Sequence, residues 1–251
     1  AGIHDAHLRK LTGRSYSALV DPVIRDFPIE SMEPGDIYFH NDVYLSEGGI
    51  GHLPDLCVTV PVFAEGQVVA FVQAFGHHDD IGGKVPGSMP SDALSVFEEG
   101  LMVPPIKLYD KGIANEAALR IMTRNSRLPE SLAGDLDAEC SACRMGADRL
   151  AELFERYGVD LVTSCFDVII DRTTETFRRE ILSKIPEGTW TWEDYAEHDG
   201  VDPPKLHCQR ITLTKTADKL VLDLNGTSPQ AKGPINHAGD YADGVFLKKW
   251  L

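Results

Sequence analysis

Two long runs of β-branched and aromatic residues, separated by three residues, constrain the fold of this chain more than any other feature. The runs are DLCVTVPVF (55–63) and QVVAFVQAF (67–75), and Ala64, Glu65 and Gly66 stand between them. Such runs around a short connection that contains glycine are typical of a β-hairpin. An antiparallel hairpin brings the start of its first strand beside the end of its second. We therefore expect the residues at these two positions to meet at one end of a sheet.

The rest of the chain mixes extended and helical patterns, which predicts a mixed α/β (α+β) fold. A short strand is predicted in PGDIYFHND (34–42), helical patterns occupy much of 115–182, and alternating strand patterns follow Pro186. We place a soft boundary there. Residues 1–185 are predicted to form an α/β domain with the hairpin at the centre of its sheet, and residues 186–251 a strand-rich segment.

Both ends of the sequence interrupt a pattern. The chain starts at Ala1 without a methionine, and an apolar helical pattern that begins at His237 stops at Leu251 without a cap or a Gly/Pro stop. We therefore expect the sequence to be a fragment of a longer subunit, truncated at its N- and C-termini.

Composition describes a globular chain of 251 residues with a strongly acidic balance. Its 24 Lys and Arg against 39 Asp and Glu give a formal net charge of −15. This charge repels phosphate backbones and anionic lipid, so neither nucleic acid nor a membrane is an expected partner. The longest apolar runs are far shorter than the roughly 20 residues that span a bilayer. Five cysteines do not indicate a secreted disulfide framework, and the cytoplasm is the expected location.

Histidines and acids gather where the hairpin strands are expected to meet. His52 and Asp55 lie at the start of the first strand, and His77 and Asp80 follow the second at the same spacing. Two imidazoles and two carboxylates without a thiolate suit a divalent metal such as Zn, Mn, Fe or Co. We predict that these four residues bind one metal ion. The alternative is that the histidines are hydrogen-bonded loop residues and the acids belong to turns.

Two further residues are candidate catalytic groups. Because successive side chains of a strand point to opposite faces, only one of His77 and His78 can face the metal. We assign His77 to the metal and His78 to proton transfer or to stacking on the substrate. Asp42, which with Asn41 closes the first predicted strand, is the second candidate.

Other reactive side chains have simpler structural interpretations. Cys140 and Cys143 form C-x-x-C inside a helical pattern, and we interpret both as helix-packing residues. The glycine-rich run at 48–51 lacks the Gly-Lys-Ser/Thr of a P-loop, so no ATP site is predicted in this chain. One polar helix end either binds an anion or is solvated, and its residues are Arg124, Asn125 and Arg127.

Several segments, taken in order, carry a family resemblance. They are PGDIYFHNDVY, GHLPDLCVTVPVF, GHHDDIGGKVPGSMP, EEGLMVPPIKL, the long run from RNSRLPES to AELFERYG, and LVLDLNGTSPQAKGPIN. Together they resemble the B-type subunit of the hydantoinase/oxoprolinase family, which is related to acetone and acetophenone carboxylase subunits. The resemblance covers nearly the whole chain.

The resemblance implies ATP-dependent chemistry on amides or ketones. In this family an A-type partner subunit binds ATP and phosphorylates a carbonyl or carboxyl oxygen of a small-molecule substrate, and the B-type subunit carries out the second half-reaction. That reaction is hydrolysis of a cyclic amide in the oxoprolinase and N-methylhydantoinase branch, and formation of a β-keto acid in the carboxylase branch. Carried over by motif, the metal ligands are His52, Asp55, His77 and Asp80.

Two departures from the family pattern leave the substrate open. Val43 stands where hydrolytic members commonly have proline, and the loop before His52 is longer. Asp79 adds a carboxylate to the GHHDD segment. Three functions therefore stay open: a cyclic amide hydrolase, a ketone carboxylase, and a non-catalytic scaffold with a structural metal. The extra acid and the longer loop tilt the interpretation toward a carboxylase-like or divergent substrate without deciding it.

Overall fold

The computed structural model describes residues 2–12, 19–46, 48–201 and 203–236. The helical pattern that begins at His237 lies outside the described residues. Two antiparallel sheets and four α-helices form the part of the chain that is described, and this confirms the mixed α/β fold class. The chain divides into two compact units, each of which has its own sheet.

The first unit contains the predicted hairpin at the centre of a seven-stranded sheet. Its strands are, in spatial order, β2 (Lys10–Thr12), β1 (Gly2–Asp5), β5 (Gln67–His77), β4 (Asp55–Ala64), β3 (Ile37–His40), β6 (Ile106–Asp110) and β7 (Ile113–Ala114). Glu65 and Gly66 connect β4 to β5 with φ angles of 51° and 77°. Positive φ at both positions is characteristic of the two-residue type I′ turn, whose twist matches that of a hairpin. The sequence analysis predicted no strand at β1 or β2.

Helices fill the middle of the chain, as the sequence predicts. They are α2 (Glu116–Asn125), α3 (Pro129–Tyr157) and α4 (Val159–Glu180). A short helix, α1 (Asp21–Asp26), precedes them near the start of the chain. Asn115 caps α2 by accepting a hydrogen bond from the Ala118 N–H. α3 ends at Gly158, whose φ of 82° lies in the left-handed region that glycine tolerates.

One face of the hairpin packs against α3. The buried side chains of α3 recur every three or four residues, which is the period of a helix face, and they are Leu132, Leu136, Cys140, Cys143, Ala147, Leu150 and Phe154. Burial raises the pKa of both cysteine thiols in this set to about 12. The two cysteines therefore pack as the sequence analysis predicts. At Gly146 the helix approaches β5 so closely that a Cβ atom would lie 2.9 Å from Val72 Cγ1.

The opposite face of the hairpin has a separate apolar cluster. Phe71 of β5 and Tyr38 of β3 pack there with Val20, Val23 and Met32. The neighbours of Phe71 in β5 belong to the α3 side, which follows from strand alternation. The hairpin is therefore buried on both faces, which explains its nearly continuous apolar sequence.

The second unit contains a three-stranded sheet. Its strands β8 (Gly188–Ala196), β9 (His207–Lys215) and β10 (Leu220–Asp223) pair in the order β10–β9–β8. The strand-rich segment expected after Pro186 therefore forms strands, and the domain boundary at that residue stays a prediction. The second compact unit consists of Pro90–Ser95 and Asp167–Asn236, and its second segment begins inside α4. Among the described helices, none combines the length and the apolar character needed to cross a bilayer.

Candidate metal centre

Three side chains converge where β4 begins and β5 ends. Asp55, the first residue of β4, pairs directly with His77, the last residue of β5. His52 bends back toward them through a turn in which the Asp55 N–H donates to the His52 carbonyl at 3.3 Å. His52 Nε2 lies 2.9 Å from Asp55 Oδ1, and His77 Nδ1 lies 3.0 Å from His52 Nε2 and 3.1 Å from Asp55 Oδ1. The hairpin thus brings together three of the four predicted ligands.

A β-bulge decides which histidine joins Asp55. At the turn Ala64 pairs with Gln67, and this register, continued unchanged, would pair Asp55 with Gly76. A bulge near the turn shifts the register by one residue, and Asp55 pairs with His77 instead. Because a shift of one residue exchanges the two faces of a strand, the bulge places the imidazole of His77 on the same face as Asp55.

The three ligand atoms fit a single divalent ion. Their separations of 2.9 to 3.1 Å agree with the roughly 3 Å between ligands at right angles around a metal with bonds of about 2.1 Å. A cation would also accept a lone pair from each of the two imidazole nitrogens, which face each other at 3.0 Å. The side chains of His52, Asp55 and His77 are 31%, 15% and 46% exposed, so one side of the group is open to solvent. Catalytic metal sites need such an open side for water or substrate.

Asp80, predicted as the fourth ligand, lies outside this group. Its carboxylate is 2% exposed and accepts four hydrogen bonds: Oδ1 from the N–H groups of Gly82 and Arg127 at 3.0 and 2.9 Å, and Oδ2 from the Gly87 N–H and Arg127 Nη1 at 3.0 and 2.9 Å. Burial alone would raise the pKa of Asp80, but these hydrogen bonds outweigh it and lower the pKa below its usual value. In this arrangement Asp80 joins the loop that follows β5, through Gly82 and Gly87, to Arg127.

The pairs His52/Asp55 and His77/Asp80 have the same sequence spacing, but the structure gives them different geometries. His52 and Asp55 are joined by a turn, whereas β5 ends at His77 and the chain then enters the loop that contains Asp80. Arg127, for which the sequence left anion binding open, also donates to the carbonyl groups of that loop, which are those of Gly82, Gly83 and Val85. It therefore binds an internal carboxylate.

His78 points away from the other histidines, as strand alternation predicts. It is 2% exposed, and its Nε2 lies 3.6 Å from Oε1 of Glu139 in α3. Burial raises the pKa of Glu139, while His78 opposes this change. Glu139 has room because position 76 is glycine, where a Cβ atom would lie 2.6 Å from Glu139 Oε1. The sequence analysis missed Glu139, although a charged residue four positions before Cys143, on the buried face of α3, was a usable signal.

Asp42, the second predicted catalytic residue, is engaged in a local turn. Its Oδ1 accepts hydrogen bonds from the N–H groups of Tyr44 and Leu45 at 2.9 and 3.0 Å. These are the contacts of an Asx turn, in which aspartate serves the backbone. The geometry of Asp42 therefore gives its predicted catalytic role no support.

A carboxylate that the sequence analysis did not single out lies beside the candidate metal-binding group. Glu99 follows the 3₁₀ turn Val96–Glu98, and its Oε2 accepts a hydrogen bond from the Leu53 N–H at 2.9 Å. Burial raises the pKa of Glu99, although that hydrogen bond and the nearby His52 oppose the shift. The only signal in the sequence was its place in the EEGLMVPPIKL segment.

Comparison with known proteins identifies the family. The family model described as hydantoinase B/oxoprolinase matches residues 6–247. The chain belongs to this family. The sequence is 34% identical over 220 residues to caprolactamase subunit beta of Pseudomonas jessenii, a match that covers 87% of this chain and 37% of that protein. It is 31% identical over 229 residues to the acetophenone carboxylase delta subunit of Aromatoleum aromaticum, with 89% of this chain and 33% of that protein covered.

A solved structure shows the same fold for this member of the hydantoinase B/oxoprolinase family. The crystal structure of the ATP-dependent caprolactamase from Pseudomonas jessenii matches with a TM-score of 0.83 and 29% sequence identity. The match covers 98% of this chain and 43% of that chain. The chain spans about a third of the length of the curated relatives described above, and both are named as subunits.

Proposed function

We propose that this chain is part of a metal-dependent B-type subunit of an ATP-dependent enzyme that hydrolyses a cyclic amide, of the hydantoinase or 5-oxoprolinase type. The observation that carries the proposal is the convergence of His52, Asp55 and His77 at the hairpin end, in a chain of this family. An A-type partner subunit then binds ATP and activates the substrate. This division of roles agrees with the sequence of this chain, in which no phosphate-binding loop is predicted.

The three converging residues would hold a divalent ion, Zn, Mn or Fe. When bound, such an ion polarises a carbonyl oxygen or lowers the pKa of a bound water molecule. Asp55 supplies a carboxylate oxygen at 2.9 and 3.1 Å from the two imidazole nitrogens, and the turn before β4 and the end of β5 hold the three groups in place. The exposed side of His77 leaves space for a small-molecule substrate.

A second function has its own support. The similarity to an acetophenone carboxylase subunit, together with the additional exposed carboxylate of Asp79 two residues after His77, supports a subunit of an ATP-dependent ketone carboxylase. A third, a scaffold with a structural metal, is less well supported. Structural metal sites are usually closed by four protein ligands, and the group found among the described residues supplies three.

Metal analysis tests the proposed site. We expect about one divalent ion per chain in the gently purified protein, and loss of that ion in His52→Ala and in Asp55→Asn, because each removes a ligand. Asp79→Asn is the matched control and should retain the metal. A wild-type protein without stoichiometric metal would contradict the proposal.

Product analysis separates hydrolase from carboxylase. The complex with the A-type partner should release ADP when given a cyclic amide such as 5-oxoproline or a hydantoin, and the ring should open. Formation of a β-keto acid from a ketone and bicarbonate, without ring opening of any cyclic amide, would favour the carboxylase.

A further inference from the structure

The turn that carries two of the proposed metal ligands is held from both sides by side chains, of which one is buried and the other half-buried. This ligand turn comprises His52, Leu53, Pro54 and Asp55. The Leu53 N–H donates to Glu99 Oε2 at 2.9 Å, and the Leu53 carbonyl accepts from Asn41 Nδ2 at 2.8 Å. Both backbone polar groups of Leu53, which stands between the ligands, are therefore bound by side chains from elsewhere in the fold.

The remaining backbone groups of the ligand turn are also bound. The Pro54 carbonyl accepts from the His78 N–H at 2.9 Å, and the Asp55 N–H donates to the His52 carbonyl. Proline has no N–H of its own. Every backbone polar group from the His52 carbonyl to the Asp55 N–H thus has a partner.

The residues that bind the Leu53 backbone are themselves held by further hydrogen bonds. Asn41 is buried, and its side chain also donates to the Leu101 carbonyl at 2.9 Å and accepts from the Val103 N–H at 2.7 Å. The Leu101 N–H in turn donates to the Ile81 carbonyl at 3.1 Å. The segment that carries Glu99 is therefore tied to the end of β3 and to the loop after β5.

We propose that Glu99 is a positioning residue for the metal centre. Its carboxylate binds the Leu53 N–H and so fixes the direction in which His52 Nε2 points toward Asp55 and His77. This inference rests on the proposed metal site. Leu53 is fully buried, so its N–H has no water to replace a lost acceptor. Groups that orient metal ligands in this way typically change metal affinity 10- to 100-fold when removed.

Two substitutions separate the hydrogen bond from the charge. Glu99→Gln keeps an oxygen that can accept from Leu53 but removes the charge. Glu99→Asp keeps the charge but shortens the side chain by one methylene, so its oxygen no longer reaches Leu53. A positioning role predicts that Glu99→Gln behaves like the wild type, whereas a direct ligand role predicts that Glu99→Gln loses the metal.

The test measures the Kd for Mn²⁺ and for Zn²⁺ in the metal-stripped protein by competition with a chelator, beside thermal unfolding of each variant. We expect Glu99→Ala and Glu99→Asp to bind roughly 10- to 100-fold more weakly and Glu99→Gln to stay within about 3-fold of the wild type. Glu98→Gln, which changes the neighbouring side chain that pairs with Lys84, is the control and should not alter the Kd.

Each outcome decides a separate question. Wild-type affinity in Glu99→Ala and Glu99→Asp overturns the positioning role, and a Glu99→Gln variant as weak as Glu99→Ala overturns it in favour of direct binding. Glu99→Asp keeps the test available if the alanine variant does not fold. His52→Ala reports on the metal site itself: if it binds Mn²⁺ and Zn²⁺ like the wild type, the proposed function fails, whatever Glu99 does.

Discussion

At the scale of single residues, the two adjacent histidines have different surroundings. His77 is 46% exposed and lies among the three proposed metal ligands, whereas His78 is buried against Glu139. The backbone N–H of His78, however, donates a hydrogen bond to the Pro54 carbonyl of the ligand turn. The side chain of His77 is therefore placed to bind the proposed metal directly, whereas the side chain of His78 lies on the other side of the strand, against Glu139.

This difference predicts different losses in the two alanine variants. His77→Ala should lose both metal and activity because it removes a ligand. His78→Ala should retain the metal, since its backbone N–H stays in place, and should turn over roughly 10²- to 10⁴-fold more slowly if His78 transfers protons. Metal content and turnover of both variants in the complex with the A-type partner provide the measurement. A His78→Ala protein without metal, beside a His77→Ala protein that retains it, would reverse the assignment.

At the scale of elements, the close contact of α3 with β5 distinguishes two glycines of one helix. A Cβ atom at Gly146 would lie 2.9 Å from Val72 Cγ1, whereas one at Gly134 would meet no atom within 4 Å. Gly134 is exposed, so alanine there changes only the backbone entropy and helix propensity.

We predict opposite effects of alanine at these positions. Gly134→Ala should raise the free energy of unfolding by about 0.5–1 kcal/mol, and Gly146→Ala should lower it by about 1–3 kcal/mol because the helix must move away from the sheet. Urea unfolding of the two variants under identical conditions measures both. Equal stability of the two proteins would show that α3 does not approach β5 as described.

At the scale of the whole molecule, the acidic chain is expected to depend on a partner for nucleotide chemistry. Its formal net charge of −15 disfavours nucleotide phosphates, and no phosphate-binding loop is predicted. We predict no ATP hydrolysis by the purified protein alone, and hydrolysis once an A-type partner and substrate are added. Phosphate release measures this, and robust ATPase activity without a partner would refute it.

The sequence by itself determined the central hairpin, the middle helices and the end of the hairpin at which histidine and aspartate side chains meet. These features depend on local patterns: two β-branched runs around a short turn, a three- or four-residue period in α3, and the antiparallel relation of hairpin ends. Such patterns involve residues that are close together in the chain, so residue composition and periodicity are enough to recognise them.

Tertiary structure alone decided the remaining features of the site. The bulge in β5 selects the register that pairs Asp55 with His77, and a periodic sequence pattern does not reveal one extra residue in a strand. Asp80 is bound by Arg127, 47 positions later, and the Leu53 peptide by Glu99, 46 positions later. The physical reason is that a buried carboxylate or N–H takes whichever partner packing brings within hydrogen-bond distance, and separation along the chain does not encode that choice.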